Sequence, residues 1–153
     1  MIYIGVDPGP EISAFVVWDG EKIIEKHLIE NKEILGLLRW YSSTYPANSF
    51  LIIEKIESFG MPVGKSVFET VFWAGRFRQE WRNHNFYYMP RKEAKLNLCN
   101  SCRAKDANVR QRLIDIYGPP GTKKKPGTLY GLKKDLWSAF ALIAAYKKQE
   151  LPF

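Results

Sequence analysis

The chain offers little sulfur or imidazole chemistry: two cysteines, Cys99 and Cys102, and two histidines, His27 and His84, in 153 residues. Two cysteines build no disulfide framework, so nothing ties the protein to an oxidising compartment. The C-x2-C spacing of Cys99 and Cys102 can open a zinc site, but zinc needs four ligands, and neither histidine stands at ligand spacing from the pair. The plainer reading is two small polarizable side chains in a loop. No run of eighteen apolar residues occurs, which leaves no membrane span. No basic leader or small-residue cleavage site precedes the strand-like start at Met1, so a cytoplasmic protein is expected. Repeats and low-complexity tracts are absent, and no small-molecule cofactor is expected.

What is present is a chain of one-domain size, 46% hydrophobic and 14% aromatic, able to bury a substantial core. A single domain over 1–153 is expected. Net charge is +7, and its distribution matters more than its total. Residues 1–90 carry nine Lys/Arg against eleven Asp/Glu, whereas residues 91–134 carry twelve against three. One basic segment in an otherwise balanced chain is what a polyanion-binding face needs, although a solvated basic surface has the same composition.

The segment Met1 to Val6 is apolar and β-branched and stops at Asp7-Pro8-Gly9-Pro10. Ile12 to Trp18 and Lys22 to Ile29 read as strands joined by an Asp19-Gly20 turn. Asn31 is placed to cap a helix whose apolar Ile34, Leu38 and Tyr41 recur at i, i+4 and i+7. Phe50 to Ile53 reads as a central strand covered on both faces. A long helix from about Ser66 to Arg82, a short strand from Phe86 to Met89 and a helix with Pro90 in its first turn follow. Asp106 is placed to cap a helix from Ala107 to Tyr117, and a closing helix spans roughly Lys133 to Lys148. Residues 118–131, rich in Pro, Gly and Lys, read as a mobile basic loop. A three-stranded meander followed by alternating helices and strands predicts an α/β domain, with helices on both faces of a mixed five-stranded sheet.

Three acids stand where such a domain places chemistry. Asp7 ends the first strand, and a carboxylate there is costly unless something such as a divalent cation compensates. Its alternative role is to start an Asx-turn. Glu54 ends the central strand and shares a face with Ile52 and Ile56. Glu57 is the reserve candidate should the register slip by one. Asp135 opens the last helix on one stripe with Ser138, Ala139 and Leu142, where the helix dipole also favours an acid. Hydrolysis of a phosphodiester by two metal ions needs carboxylates that bridge the cations. Oxygen ligands of this kind suit Mg²⁺ or Mn²⁺.

These residues resemble the RuvC-type Holliday junction resolvases of the RNase H-like superfamily, particularly the divergent forms of phages and prophages. The resemblance runs from Ile4-Gly5-Val6-Asp7-Pro8-Gly9 through Ile53-Glu54-Lys55-Ile56 and the Lys65-Ser66 helix start. It continues through Pro90-Arg91-Lys92-Glu93-Ala94-Lys95 and Ala104-Lys105-Asp106-Ala107-Asn108-Val109 to the last helix. It implies an RNase H-like fold, metal-binding catalytic acids at Asp7, Glu54 and Asp135, and a homodimer that nicks a four-way DNA junction symmetrically. Two Mg²⁺ ions per active site are implied, with Mn²⁺ able to substitute. Lys95 and Lys105 fall where the family carries lysines that touch DNA or the active site. Lys65, Ser66 and Arg103 are further DNA-binding candidates, and Phe59 is placed for the aromatic near the junction centre. Ser138 stands where the family's last aspartate is expected, which leaves it to hold a metal-bound water in a three-acid site.

Arg76, Arg78 and Arg82 accompany Phe72, Phe77 and Trp81 on the long helix, part of which is a candidate dimer contact. Three rival readings use the same residues: a junction-binding protein that does not cut, a flap or RNA–DNA hybrid nuclease of the same fold, and a metal-free interaction domain.

Overall fold

The computed structural model describes residues 1–150, the side chain of Glu150 excepted. Five strands form one sheet: β1 (Ile2–Asp7), β2 (Ile12–Trp18), β3 (Ile23–Glu30), β4 (Ser49–Lys55) and β5 (Phe86–Pro90). Their order is β3-β2-β1-β4-β5. The first three strands run as an antiparallel meander, and β4 and β5 add in parallel beyond β1. Asp19 fixes the β2–β3 turn, its Oδ1 accepting the Glu21 and Lys22 N–H groups at 2.8 Å each.

Helices cover both faces, as parallel strands require. On one side α1 (Asn31–Thr44) and α2 (Lys65–Glu80) bury Ile34, Leu38, Tyr41 and Phe77 against Ile4, Val6, Phe15 and Ile53. The i, i+4, i+7 stripe Ile34–Leu38–Tyr41 is thus the inner face of α1. On the other side lie α3 (Arg91–Cys99), α4 (Asp106–Tyr117) and α5 (Leu136–Glu150). Their core joins Leu98, Leu113, Phe140 and Ile143 to Val16, Trp18, Ile52 and Met89. Helix α5 is apolar nearly all round, which is why it crosses the middle of the sheet.

Two helix starts differ from the sequence expectation. Asn31 is not a cap: it is the first residue of α1 behind Glu30, and its side chain turns inward to β2. Asp106 likewise lies inside α4, behind Lys105, whose N–H donates to Asn108 Oδ1 at 2.9 Å. In both places the polar side chain finds a tertiary partner in preference to its own helix end. Pro90 closes β5 and precedes α3. Asp135 immediately precedes the regular turns of α5, and its carbonyl accepts the Ala139 N–H at 3.0 Å.

Residues 118–131 contain no strand or helix. A Gly121–Pro126 bridge and paired bonds between Thr122 and Lys125 close a small turn. Leu129 beneath it is fully buried. No helix among the described residues is long and apolar enough to cross a membrane.

Candidate active site

Alternation along β1 puts Tyr3, Gly5 and Asp7 on the face covered by α5, and along β4 it puts Ile52 and Glu54 there. The parallel register pairs Val6 with Ile53, so Asp7 and Glu54 are the next neighbours across the two central strands. Each is 7% exposed. Glu57 lies beyond the strand end, exposed and 3.5 Å from Lys55, so the register favours Glu54.

Helix α5 comes close to these acids because β1 has no side chain at residue 5. A Cβ on Gly5 would lie 2.1 Å from the Ala139 carbonyl oxygen, so the helix backbone rests directly on the strand. That approach brings the start of α5, with Asp135 and Ser138, toward the ends of β1 and β4. Asp135 is exposed rather than turned under the helix, yet its charge reaches Asp7.

The Asp7 carboxyl is pushed up to about 8, first by burial, then by the negative charges of Glu54 and Asp135 and a hydrogen bond with Glu54. Arg91 opposes this. Two carboxylates held side by side out of water do not both ionise without a counter-charge. The charge present is Arg91, at the start of α3, with Nε 3.3 Å from Glu54 Oε1 and Nη2 3.3 Å from Oε2. Burial disfavours the Arg91 cation, but Glu54 and Asp7 more than offset this, and its pKa is raised.

The turn after Asp7 is pinned from below. Gly9 N–H donates to Ser13 Oγ at 2.9 Å, Ser13 donates to Asn31 Oδ1 at 2.6 Å, and Asn31 Nδ2 donates to the Gly9 carbonyl at 2.9 Å. Ser13 and Asn31 are each 2% exposed, so this closed triangle is a buried network with its members satisfied.

Two adjoining hollows extend the site toward α4. One is lined by Glu54, Arg91, Lys95, Asp106 and Ser138, among others, and the next by Asp106, Arg110, Lys134, Asp135, Trp137 and Ser138. Lys95 Nζ lies 3.5 Å from Asp106 Oδ1. Arg110 lies over the Trp137 ring at 5.6 Å. Lys105 and Arg103 are exposed on the approach to α4. Lys65 and Ser66 open α2 and are exposed, on an element that covers the opposite face of the sheet. Phe59 is 60% exposed, with Lys92 Nζ 4.7 Å from its ring centre. Within α2, Phe77 is a core residue, as is Trp81 just past its end, while Phe72 is exposed beneath Arg76.

Sequence reading passed over Arg91, Asp106 and Trp137. Arg91 is one of several cations in a basic stretch, and Asp106 carries a signal that points to capping.

Among the described residues no three His, Cys, Asp or Glu side chains are gathered tightly enough to constitute a metal ligand set as they stand. The donor chemistry nevertheless fits a hard divalent cation: all-oxygen ligands, an Asp7 destabilised by its acidic neighbours, and a resident positive charge already drawn to Glu54.

No family model matches the chain, and no curated protein matches it. Solved structures do. Thermus thermophilus RuvC in complex with a Holliday junction substrate superposes with a TM-score of 0.72 at 15% identity, over 98% of this chain and 96% of that one. Another structure of Thermus thermophilus RuvC gives 0.69 at 13% identity, over 98% and 95%. At such identities the likeness shows the fold, and that fold is the RNase H-like one.

Proposed function

We propose that the protein is a Mg²⁺-dependent, structure-specific endodeoxyribonuclease that resolves four-way DNA junctions as a homodimer in the cytoplasm. The observation that carries this reading is the pair Asp7 and Glu54, buried side by side at the ends of adjacent central strands. Asp135 lies within electrostatic reach of the pair. Over that face lie α3 and α4, which with the loop between them and the loop that follows α4 make up residues 91–134, with twelve basic and three acidic residues. The fold it shares with a RuvC in complex with a Holliday junction substrate supports the choice of substrate.

Asp7, Glu54 and Asp135 would hold two Mg²⁺ ions, or Mn²⁺ in their place, which supply an activated water and stabilise the leaving oxygen. Lys95, Lys105 and Arg103 bind the DNA backbone around the cut, with Lys65 and Ser66 as contacts from α2. Phe59 offers a stacking surface for a base near the junction centre, a contact of about 1–3 kcal/mol. Ser138 orients water at the site. The exposed Phe68, Val71 and Phe72 of α2 form the homodimer face, each too apolar and too near the others to favour solvent. A two-fold dimer matches the near two-fold symmetry of its substrate and delivers paired nicks.

A second reading rests on Ser138 and Arg91. A neutral residue beside the acids and a guanidinium on Glu54 suit a protein that binds junctions without cutting them. The experiment is to incubate the full chain in Mg²⁺ with a synthetic four-way junction, linear duplex, a flap and an RNA–DNA hybrid. Paired nicks confined to the junction are expected. Tight junction binding without nicks selects the second reading, and cutting of flaps or hybrids in place of junctions changes the substrate.

A further inference from the structure

We infer that Arg91 couples cation loading to capture of the DNA strand: its guanidinium neutralises Glu54 until a divalent cation displaces it, and then takes a backbone phosphate. The inference rests on the metal-dependent reading above.

Arg91 is the first residue of α3, directly after Pro90, which pairs with Lys55 on β4. Its backbone is therefore fixed beside Glu54, and only the side chain is free to move. Its two contacts with Glu54 are both 3.3 Å, longer than the roughly 2.7–2.9 Å of a well-seated charge-assisted bond. The two partners also differ in freedom. The Glu54 side chain is 9% exposed and the Arg91 side chain 48%. Glu54 cannot leave the site, whereas the guanidinium can swing outward without disturbing the core.

What it would meet there is set by its neighbours. Asp106, the other acid lining this hollow, already faces Lys95 at 3.5 Å. A guanidinium released from Glu54 meets one competing acid in the hollow, Asp106, which already attracts it but is shared with Lys95, and its planar fork matches a phosphate in two-point fashion. Cation binding then frees a positive charge at the rim of the site where the strand must lie.

The test is Mn²⁺ titration of the DNA-free full chain by calorimetry, comparing wild type with Arg91→Met. Loss of the competing charge should tighten Mn²⁺ binding about tenfold, equivalent to about 1.4 kcal/mol. Lys95→Met, which removes a nearby charge not seated on Glu54, should change it much less. A second readout is the salt dependence of junction binding, measured in Ca²⁺ and in EDTA. The wild-type slope should steepen by about one phosphate contact when Ca²⁺ is present, and the Arg91→Met slope should not. If wild type binds Mn²⁺ and Arg91→Met binds it equally or less well, Arg91 supports the site and the coupling is wrong while the metal reading stands. If neither binds Mn²⁺, the metal reading itself fails and the coupling falls with it. Should Arg91→Met fail to fold, Arg91→Gln serves for the same comparison.

Discussion

Ser13 and Asn31, eighteen residues apart, share a 2.6 Å hydrogen bond beneath the turn that follows Asp7. Through Gly9 the pair fixes where the Asp7 strand ends and how the chain leaves it. Asn31→Ala strands both the Ser13 hydroxyl and the Gly9 carbonyl, and should cost about 2–3 kcal/mol in chemical denaturation. Divalent-cation affinity should fall as well, because the turn that presents Asp7 is released. Asn31→Asp keeps the acceptor for Ser13 but sets a buried carboxylate oxygen against the Gly9 carbonyl, and should cost at least as much as alanine. Unchanged stability in Asn31→Ala would show the triangle to be dispensable.

Asp7 gives the protein a pH dependence of definite sign. Its pKa is raised in the fold from an ordinary 3.8 to about 8, so the folded state holds this proton more tightly than the unfolded chain. The stability so conferred is complete below about pH 4 and is lost as pH rises through about 8. In EDTA the Tm should therefore decline across this window, apart from contributions of other groups, and Asp7→Asn should flatten the decline. At pH 8 Asp7→Asn should be the more stable protein, by about 2–4 °C for each kcal/mol of repulsion removed. Mg²⁺ should raise the wild-type Tm most at high pH and the Asp7→Asn Tm hardly at all. Parallel Tm profiles for the two proteins would contradict the shift.

Gly5→Ala tests the seat of α5 on β1. The new methyl would meet the Ala139 carbonyl oxygen at 2.1 Å, so helix or strand must move. A destabilisation of about 3 kcal/mol is expected, with Tm lower by about 6–12 °C for a domain of this size. Wild-type stability in this variant would mean that the two backbones do not touch at residue 5.

Lys95 lines the hollow beside Glu54 from α3, and Lys105 is exposed immediately before α4. Replacing either by alanine should weaken junction binding and reduce the salt slope by about one unit for each phosphate that the lysine neutralises. An unchanged slope places that lysine off the DNA.

Much of the fold is legible in the sequence because it depends on local rules. The Asp19-Gly20 turn and the alternating runs around it define the meander, and the stripe Ile34–Leu38–Tyr41 defines the inner face of α1. Glu54 is identifiable as a strand-end acid because side-chain alternation fixes its face once the strand is placed. The remainder depends on contacts between distant segments. Asn31 and Asp106 both carry strong capping signals, and both are diverted to partners that no local pattern reveals, Ser13 and Lys95. Arg91 on Glu54 joins residues 37 apart, across two adjacent strands. Gly5 reads as an ordinary glycine in a strand, and its purpose emerges only once α5 lies upon it.

Whether the acids at the ends of β1 and β4 cut branched DNA is decided by mapping the nicks made in a labelled four-way junction in Mg²⁺ by wild type and by Asp7→Asn, with junction binding measured in parallel. Symmetric paired nicks by wild type and none by Asp7→Asn are expected, with binding weakened by no more than the one phosphate contact that a cation-released Arg91 supplies. An Asp7→Asn protein that cuts like wild type would place the chemistry elsewhere in the molecule.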